Sequence, residues 1–178
     1  MNEAQLILGG GCFWCLDAVY REVPGVLECT SGYAGGARPN PTYEQICTGA
    51  TGHAEVVKLR YDTRLVSLER LLEIFFTIHD PTTLNRQGAD TGTQYRSVVF
   101  CHDEAQRTAV TAFIDRLTHA QVYDAPIVTE ISDARPFFEA EEYHQDYFRR
   151  NPGQGYCRVV VSAKVSKYRQ RFGANTTG

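Results

Sequence analysis

Two cysteines, Cys12 and Cys15, stand three residues apart directly after a run of glycines, in the string GGGCFWC at positions 9–15. A thiol that follows a strand and opens a helix faces unpaired backbone N–H groups and the positive end of the helix dipole. Both favour an anion, so we expect the Cys12 thiol to ionise readily and to act as a nucleophile. Lowering its pKa by about two units would make it mostly thiolate at neutral pH, a stabilisation of about 2.7 kcal/mol. The glycines would let a substrate approach the backbone closely.

The Cys-x-x-Cys spacing also has two other uses. A thioredoxin-like redox pair usually has proline or glycine between its thiols, whereas this pair encloses Phe13 and Trp14. Half a zinc site needs a second pair of ligands at a suitable spacing, and the chain has no other CxxC pair and no HxxxH pair. Three hypotheses follow: a nucleophilic Cys12, a disulfide oxidoreductase that works through Cys12 and Cys15, and a zinc-binding interaction module. The first fits these residues best.

Length and composition predict one soluble globular domain. The 178 residues are enough for one core, and 43% of them are hydrophobic. We expect a single domain over 1–178, with a short flexible tail at about 173–178, and a monomer by default. The net charge of −3 argues against a nucleic-acid partner. No apolar run approaches the roughly 20 residues that span a membrane, and no secretory signal is recognised. We therefore expect a cytoplasmic protein whose six cysteines are mostly thiols, so that any disulfide is transient.

Strand and helix patterns interleave along the chain, which predicts an α+β fold with helices packed on a sheet. The predicted strands are 4–8, 26–33, 54–61, 95–102, 127–131 and 156–163, and the predicted helices are 12–22, 42–47, 67–79, 103–119 and 139–149. The helix at 67–79 is the clearest, because its apolar residues recur at helical spacing, Ser67 can cap it and Pro81 stops it. The order of the strands in the sheet is not readable from these patterns.

Seven segments resemble, in the same order, segments of the peptide methionine sulfoxide reductase A family. They are GCFWC (11–15), GYAGG (32–36), NPTYEQIC (40–47), GHAEVV (52–57), HDPTT (79–83), DTGTQYRS (90–97) and AEEYHQDYF (140–148). The resemblance spans about residues 5–165. It implies a ferredoxin-like mixed sheet with packed helices and the reduction of methionine S-sulfoxide, free or in proteins. It also implies that thioredoxin is the reductant. We expect no cofactor and, from the ligand spacing, no metal.

The resemblance assigns a role to each residue that would act on the sulfoxide. Cys12 would be the nucleophile, and Glu55 would be the acid that protonates the oxygen. Such an acid must be a carboxyl that stays neutral near pH 7 through burial or a nearby negative charge. Tyr43 and Tyr95 would donate hydrogen bonds to the sulfoxide oxygen, because a phenol donates without being charged. Asp90 would position the site through water and the substrate backbone.

Phe13 and Trp14 match the aromatic floor that holds the substrate's methyl group in this family. Sulfur–aromatic contacts contribute about 0.3–1.5 kcal/mol each. Their larger use here is stereochemical. If the rings hold the methyl group and the acid and phenols hold the oxygen, a single epimer exposes its sulfur to Cys12. This arrangement would explain why one enzyme serves one epimer.

After oxygen transfer, Cys12 would be a sulfenic acid that a second thiol converts to a disulfide. Many members of the family carry resolving cysteines in a glycine-rich C-terminal tail, and this chain has no cysteine after Cys157. Another branch of the family places that cysteine in a segment like NPGQGYC (151–157), whose glycines would let a loop swing. Cys157 is therefore the preferred resolving cysteine. Cys15 is the alternative, because residues i and i+3 share a helix face.

The remaining candidates are predicted to be structural. Cys29, Cys47 and Cys101 are expected to be plain thiols. His53 lies two residues before the predicted acid and could tune it, although a structural role fits better. His144 stands among acidic residues, but its spacing matches no common metal motif, so we expect a hydrogen bond on a helix face.

Overall fold

The computed structural model describes residues 2–173, so the predicted tail, except Gly173, lies outside the described residues. The strands are β1 (Glu3–Gly9), β2 (Val26–Ala34), β3 (Ala54–Asp62), β4 (Arg86–Gln87), β5 (Asp90–Thr91), β6 (Val98–Cys101), β7 (Glu130–Asp133) and β8 (Phe137–Glu139). The α-helices are α1 (Phe13–Tyr20), α2 (Tyr43–Cys47), α3 (Leu68–Ile78), α4 (Glu104–His119), α5 (Tyr147–Arg150) and α6 (Ser162–Phe172). Shorter turns are the 3₁₀ segments Thr93–Tyr95 and Glu142–His144 and the π-helical turn Cys157–Val161.

Six strands form one mixed sheet in the order β7-β6-β1-β3-β2-β8. Neighbouring strands are antiparallel except β6 and β7, which are parallel. Strands β1, β2, β3 and β6, with α1 after β1 and α3 after β3, make a βαββαβ unit whose strand order is β6-β1-β3-β2. This is the ferredoxin-like arrangement, so the predicted α+β class is confirmed. Strands β4 and β5 form a separate two-stranded ribbon.

The local sequence explains where the well-predicted helices begin. The Ser67 hydroxyl accepts a hydrogen bond from the Arg70 N–H at 3.0 Å and so caps α3. Helix α2 starts with a capping box in which Thr42 and Gln45 satisfy each other's backbone N–H groups. These caps supply hydrogen-bond partners to amides that have none within the helix, and they fix where α2 and α3 begin.

The core lies on both faces of the sheet because side chains alternate along each strand. On β1, Leu6 and Leu8 are fully buried in the larger cluster, which the sheet forms with α1, α3 and α6, whereas Ile7 belongs to a smaller cluster on the other face. Burying one such side chain stabilises the fold by about 1.5–3 kcal/mol. Among the described residues, no helix has the length and apolarity that a membrane crossing requires.

The strand predicted over 156–163 is wrong, because this segment is helical. The chain forms a π-helical turn that continues directly into α6. The buried residues recur at helical spacing: Cys157, Val161, Val165, Tyr168 and Phe172. The three consecutive valines suggested a strand, yet Val159 is 71% exposed while Val161 is buried. Packing of this row against the core outweighs the β-propensity of the valines.

The helix predicted over 139–149 is also wrong. The chain is extended in β8 up to Glu139 and then forms the 3₁₀ turn Glu142–His144. Helix α5 begins only at Tyr147. Asp146 has a left-handed backbone with φ of 53°, which interrupts any continuous helix. The Gln145 side chain bonds the backbone of Ser31 and the carbonyl of Ala140, and these bonds replace helical ones. Strands β6 and β7 each begin three residues later than predicted.

Candidate active site

Cys12 occupies the N-cap of α1, with the non-helical backbone angles that this position requires. The turn from β1 into α1 passes through Gly11, whose φ of +88° favours glycine and whose N–H bonds the Tyr95 carbonyl at 3.2 Å. The thiol is partly exposed in a pocket of about 120 Å³. The other lining residues are Gly11, Gln87, Gly88, Ala89, Asp90, Tyr156, Val160 and Lys164.

Glu55 lies beside this helix start, on β3, and is 1% exposed. Its Oε1 accepts a hydrogen bond from the N–H of Phe13, the first residue of α1, at 3.1 Å. Burial raises the pKa of Glu55 to about 8, the negative charge of Asp90 adds to the rise, and the Phe13 amide opposes it. The carboxyl is therefore mostly protonated at neutral pH, which is the state that a general acid needs.

The expectation of an ionised Cys12 is wrong for the protein without substrate. Burial raises the pKa of the Cys12 thiol well above its ordinary value, and ionisation of the neighbouring Glu55 would raise it further. The Trp14 amide acts in the opposite direction and does not overcome burial. The physical reason is burial, which penalises the anion, while the first amide of the helix is already engaged by Glu55 and is not directed at the thiol. The free site therefore holds two protons, one on the thiol and one on the carboxyl.

Two of the predicted oxygen-binding residues converge on this carboxyl from different elements. Tyr43 is the first residue of α2, and Tyr95 ends the 3₁₀ turn before β6. Burial raises the pKa of both phenols, and Glu55, when ionised, would raise both further. Both phenols therefore stay protonated at neutral pH and can donate hydrogen bonds near Glu55.

Asp90 has a partner that the sequence did not indicate. The Tyr156 hydroxyl donates a hydrogen bond to Asp90 Oδ2 at 2.5 Å, and both residues line the Cys12 pocket. Burial raises the pKa of Tyr156, so this donor also stays protonated. The available signal was the position of Tyr156 directly before the candidate resolving cysteine. It was missed because a tyrosine in a predicted strand is most often a packing residue.

The two predicted floor residues differ in exposure. Phe13 is fully buried and packs against Tyr33, with ring centroids 5.6 Å apart. Trp14 is partly exposed, so it is the one with surface available to a ligand. Its indole is stacked on Tyr147 at 3.8 Å with an angle of 2°, and its ring meets Tyr156 edge-on at 6.0 Å.

Neither resolving candidate is exposed. Cys15 lies on α1, and burial raises its pKa to about 12, although the cation of Lys164 lowers it. Cys157 is fully buried in the π-helical turn that packs on α1, not in a free loop. All six cysteines are free.

His53 and His144 both make side-chain bonds that explain their burial. His53 holds the loop after β2, because its Nδ1 accepts from the Gly36 N–H at 3.0 Å and its Nε2 donates to the Arg38 carbonyl at 2.6 Å. It has no bond to the predicted acid, so its role is structural. His144 bonds the Trp14 indole across the fold, not a neighbour on a helix face. Within residues 2–173, no three or more His, Cys, Asp or Glu side chains group so as to hold a metal.

The sequence and the fold are both similar to those of known methionine sulfoxide reductases. The family model described as "Peptide methionine sulfoxide reductase" matches residues 4–176. The chain is 53% identical to the peptide methionine sulfoxide reductase MsrA of Halobacterium salinarum over 176 residues, which covers 99% of each chain. It resembles the reduced form of Mxr1 from Saccharomyces cerevisiae with a TM-score of 0.82 and 35% identity, over 88% of this chain and 90% of that one. It also resembles Mxr1 in complex with Trx2, with a TM-score of 0.59 and 26% identity, over 82% and 85% of the two chains.

Proposed function

The chain belongs to the peptide methionine sulfoxide reductase family and reduces methionine sulfoxide, and we propose that its Cys12 attacks the sulfur of the S epimer, free or within a protein. The observation that carries this mechanism is a neutral carboxyl beside a thiol. Glu55, with a pKa of about 8, is bonded to the first amide of the helix that Cys12 caps. A carboxyl that is protonated at neutral pH can deliver a proton to a sulfoxide oxygen.

In the first step, the Cys12 sulfur takes the oxygen from the substrate sulfur. Glu55 donates its proton to the oxygen while the substrate S–O bond breaks, and the oxygen passes to Cys12 as a hydroxyl. The thiol proton then restores the Glu55 carboxyl. The net change is thiol plus sulfoxide to sulfenic acid plus thioether, so the methionine sulfur gains two electrons and the cysteine sulfur loses two. Because the two groups hold their protons together, they act as one titrating pair.

The surrounding side chains orient the substrate for this attack. Tyr43 and Tyr95 donate hydrogen bonds to the oxygen, and Asp90, held by Tyr156, positions the substrate backbone. The exposed ring of Trp14, with Phe13 behind it, supports the methyl group. This arrangement is supported by the protonated phenols around the acid and by the partial exposure of the indole.

In the second step, a thiol condenses with the sulfenic acid and releases water. We propose Cys157 as this thiol, with Cys15 as the alternative. Cys157 must leave a fully buried position to reach Cys12. Its location in a π-helical turn supports a functional role for this segment, because π-helical turns are rare and occur frequently at functional sites. Cys15 is also buried, and it lies within the regular helix α1.

Thioredoxin is the proposed reductant of the resulting disulfide. The support is the resemblance to Mxr1 in the complex with Trx2. We further propose that the protein works as a monomeric single domain in the cytoplasm, where thiols are kept reduced.

The test separates the two epimers. The protein is incubated with dithiothreitol and pure S or R methionine sulfoxide, and methionine is quantified by chromatography. We expect turnover of the S epimer and none after Cys12→Ser, whereas the matched control Cys101→Ser, at a buried thiol of β6, stays active. Mass spectrometry of the thiols after one equivalent of sulfoxide then identifies the disulfide partner. Turnover by Cys12→Ser would overturn the mechanism.

A further inference from the structure

His144 is buried beneath the substrate side of the site and has no role in the mechanism above. It is 1% exposed and ends the 3₁₀ turn Glu142–His144. Its Nδ1 accepts a hydrogen bond from the Trp14 Nε1–H at 3.0 Å. Its Nε2 is buried and has no partner among the described residues. A buried polar atom without a partner is costly, so the position of this ring needs an explanation.

The bond to Trp14 fixes the protonation state of the imidazole. An indole N–H can only donate, so Nδ1 must be the unprotonated nitrogen and Nε2 must carry the hydrogen. If Nδ1 carried a proton, two N–H donors would face each other, and the hydrogen bond to Trp14 would be lost. Burial lowers the pKa of His144, and the charge of Glu141, the one charged group that opposes burial there, raises it. The neutral form is therefore favoured at neutral pH.

The same ring packs against both walls of the proposed substrate site. Its centroid lies 5.0 Å from that of Phe13 and 5.8 Å from that of Trp14, which form the methyl wall. It lies 4.5 Å from the ring of Tyr43, which belongs to the oxygen wall. His144 thus touches both groups whose relative position distinguishes the two epimers of a sulfoxide.

We propose that His144 is a positioning residue that orients the Trp14 indole and spaces it from Tyr43, and thereby sets the epimer selectivity of the enzyme. The inference rests on the proposed function. It assigns a specificity role to a side chain that does not touch the substrate. This role also explains why Nε2 lacks a hydrogen-bond partner. The ring is oriented by its bond to the indole and by its aromatic neighbours, and it needs no bond at its second nitrogen.

The test exploits the fact that Trp14 is the only tryptophan of the chain, so fluorescence excited selectively in tryptophan reports on this residue. His144→Phe keeps an aromatic ring in place but removes the acceptor. His144→Asn loses the ring but retains an acceptor near the position of Nδ1. We expect His144→Phe to lower kcat/KM for the S epimer about 10- to 100-fold, the size of a small misplacement in an active site. The S-to-R ratio of kcat/KM should fall with it, and His144→Asn should recover part of the loss.

Fluorescence distinguishes orientation from general damage. In His144→Phe the emission of Trp14 should shift to the red and become more accessible to acrylamide, and His144→Asn should lie closer to the wild type. In the wild type, acidification below pH 6.5 should change the emission as the imidazole gains a proton, and this transition should be absent from His144→Phe. The matched control is His119→Asn, at an exposed histidine that ends α4.

A double-mutant cycle covers the case in which one variant folds poorly. Trp14→Phe replaces the indole with a smaller aromatic ring that has no N–H donor, so His144→Asn and His144→Phe should differ little in that background. The inference would be overturned if His144→Asn and His144→Phe still differed in kcat/KM to the full extent in the Trp14→Phe background. Unchanged epimer selectivity in His144→Phe would also overturn it. A wild type that does not reduce the S epimer, or does so without Cys12, would instead contradict the proposed function.

Discussion

Replacing Glu55 with glutamine should slow the enzyme and stabilise it at the same time. Glutamine has nearly the same shape and keeps an oxygen that can accept the hydrogen bond from the Phe13 N–H. It carries no dissociable proton, so the sulfoxide oxygen loses its acid. We expect turnover of the S epimer to fall about 10²- to 10⁴-fold, the usual contribution of a positioned acid.

The stabilisation follows from the pKa of the buried carboxyl. In the fold, the pKa of Glu55 is about 8, against an ordinary value of 4.5. The folded protein therefore binds more protons than the unfolded chain between these two values, and stability falls as pH rises through that window. At about 1.4 kcal/mol per pKa unit, the full loss is about 5 kcal/mol, of which about 3 kcal/mol has occurred at pH 7. Glu55→Gln removes this loss.

The assay is denaturant unfolding under reducing conditions from pH 4.5 to 9. The difference in unfolding free energy between Glu55→Gln and the wild type should grow with pH and level off above about pH 8. Glu139→Gln, at an exposed carboxyl, is the matched control and should show no such growth. A Glu55→Gln curve that runs parallel to the wild type, or an undiminished turnover, would show that Glu55 is not the neutral buried acid of this site.

Three further changes have defined outcomes. Cys157→Ser should keep a single turnover, seen as one equivalent of methionine, but lose thioredoxin-driven recycling; if recycling persists, Cys15 is the resolving thiol. Tyr156→Phe removes the hydrogen bond to Asp90 and should lower the unfolding free energy by about 1.5–3 kcal/mol, with a lower kcat/KM; equal stability in denaturant would show that the bond is not made in solution. Burial lowers the pKa of His79 from 6.5 to about 4, so stability should fall by up to about 3 kcal/mol as pH drops through that range, and His79→Asn should flatten that slope in acid denaturation relative to the wild type.

The fold class and the candidate reacting groups could be predicted from the chain, whereas Tyr156, which bonds Asp90 in the same pocket, could not. Periodicity and capping located α3 between Ser67 and Pro81, because both signals are local. Cys12 was placed at the start of α1 by signals that are also local. The glycines before it mark a turn, and the spacing of apolar residues changes there from that of a strand to that of a helix. The registered segments named Glu55 before its surroundings were known, although they did not show why this carboxyl would remain neutral.

The segment 156–163 shows where local signals fail. Three valines favour a strand, and only the surface available on the core, which buries Cys157 and Val161 but leaves Val159 exposed, makes the segment helical. The partners of Tyr156 and of His144 are likewise invisible in the chain, because each bond spans more than 60 residues.

The ionisation of the thiol was decided entirely by tertiary structure. The sequence determined that Cys12 would sit at a helix start, where an anion is favoured. It did not determine that β3 would bring a buried carboxyl to the first amide of that helix. A pKa depends on how much water is excluded and which charges are adjacent, and both are set by residues distant in the chain. The sequence therefore specified which groups react, whereas packing specified where their protons reside.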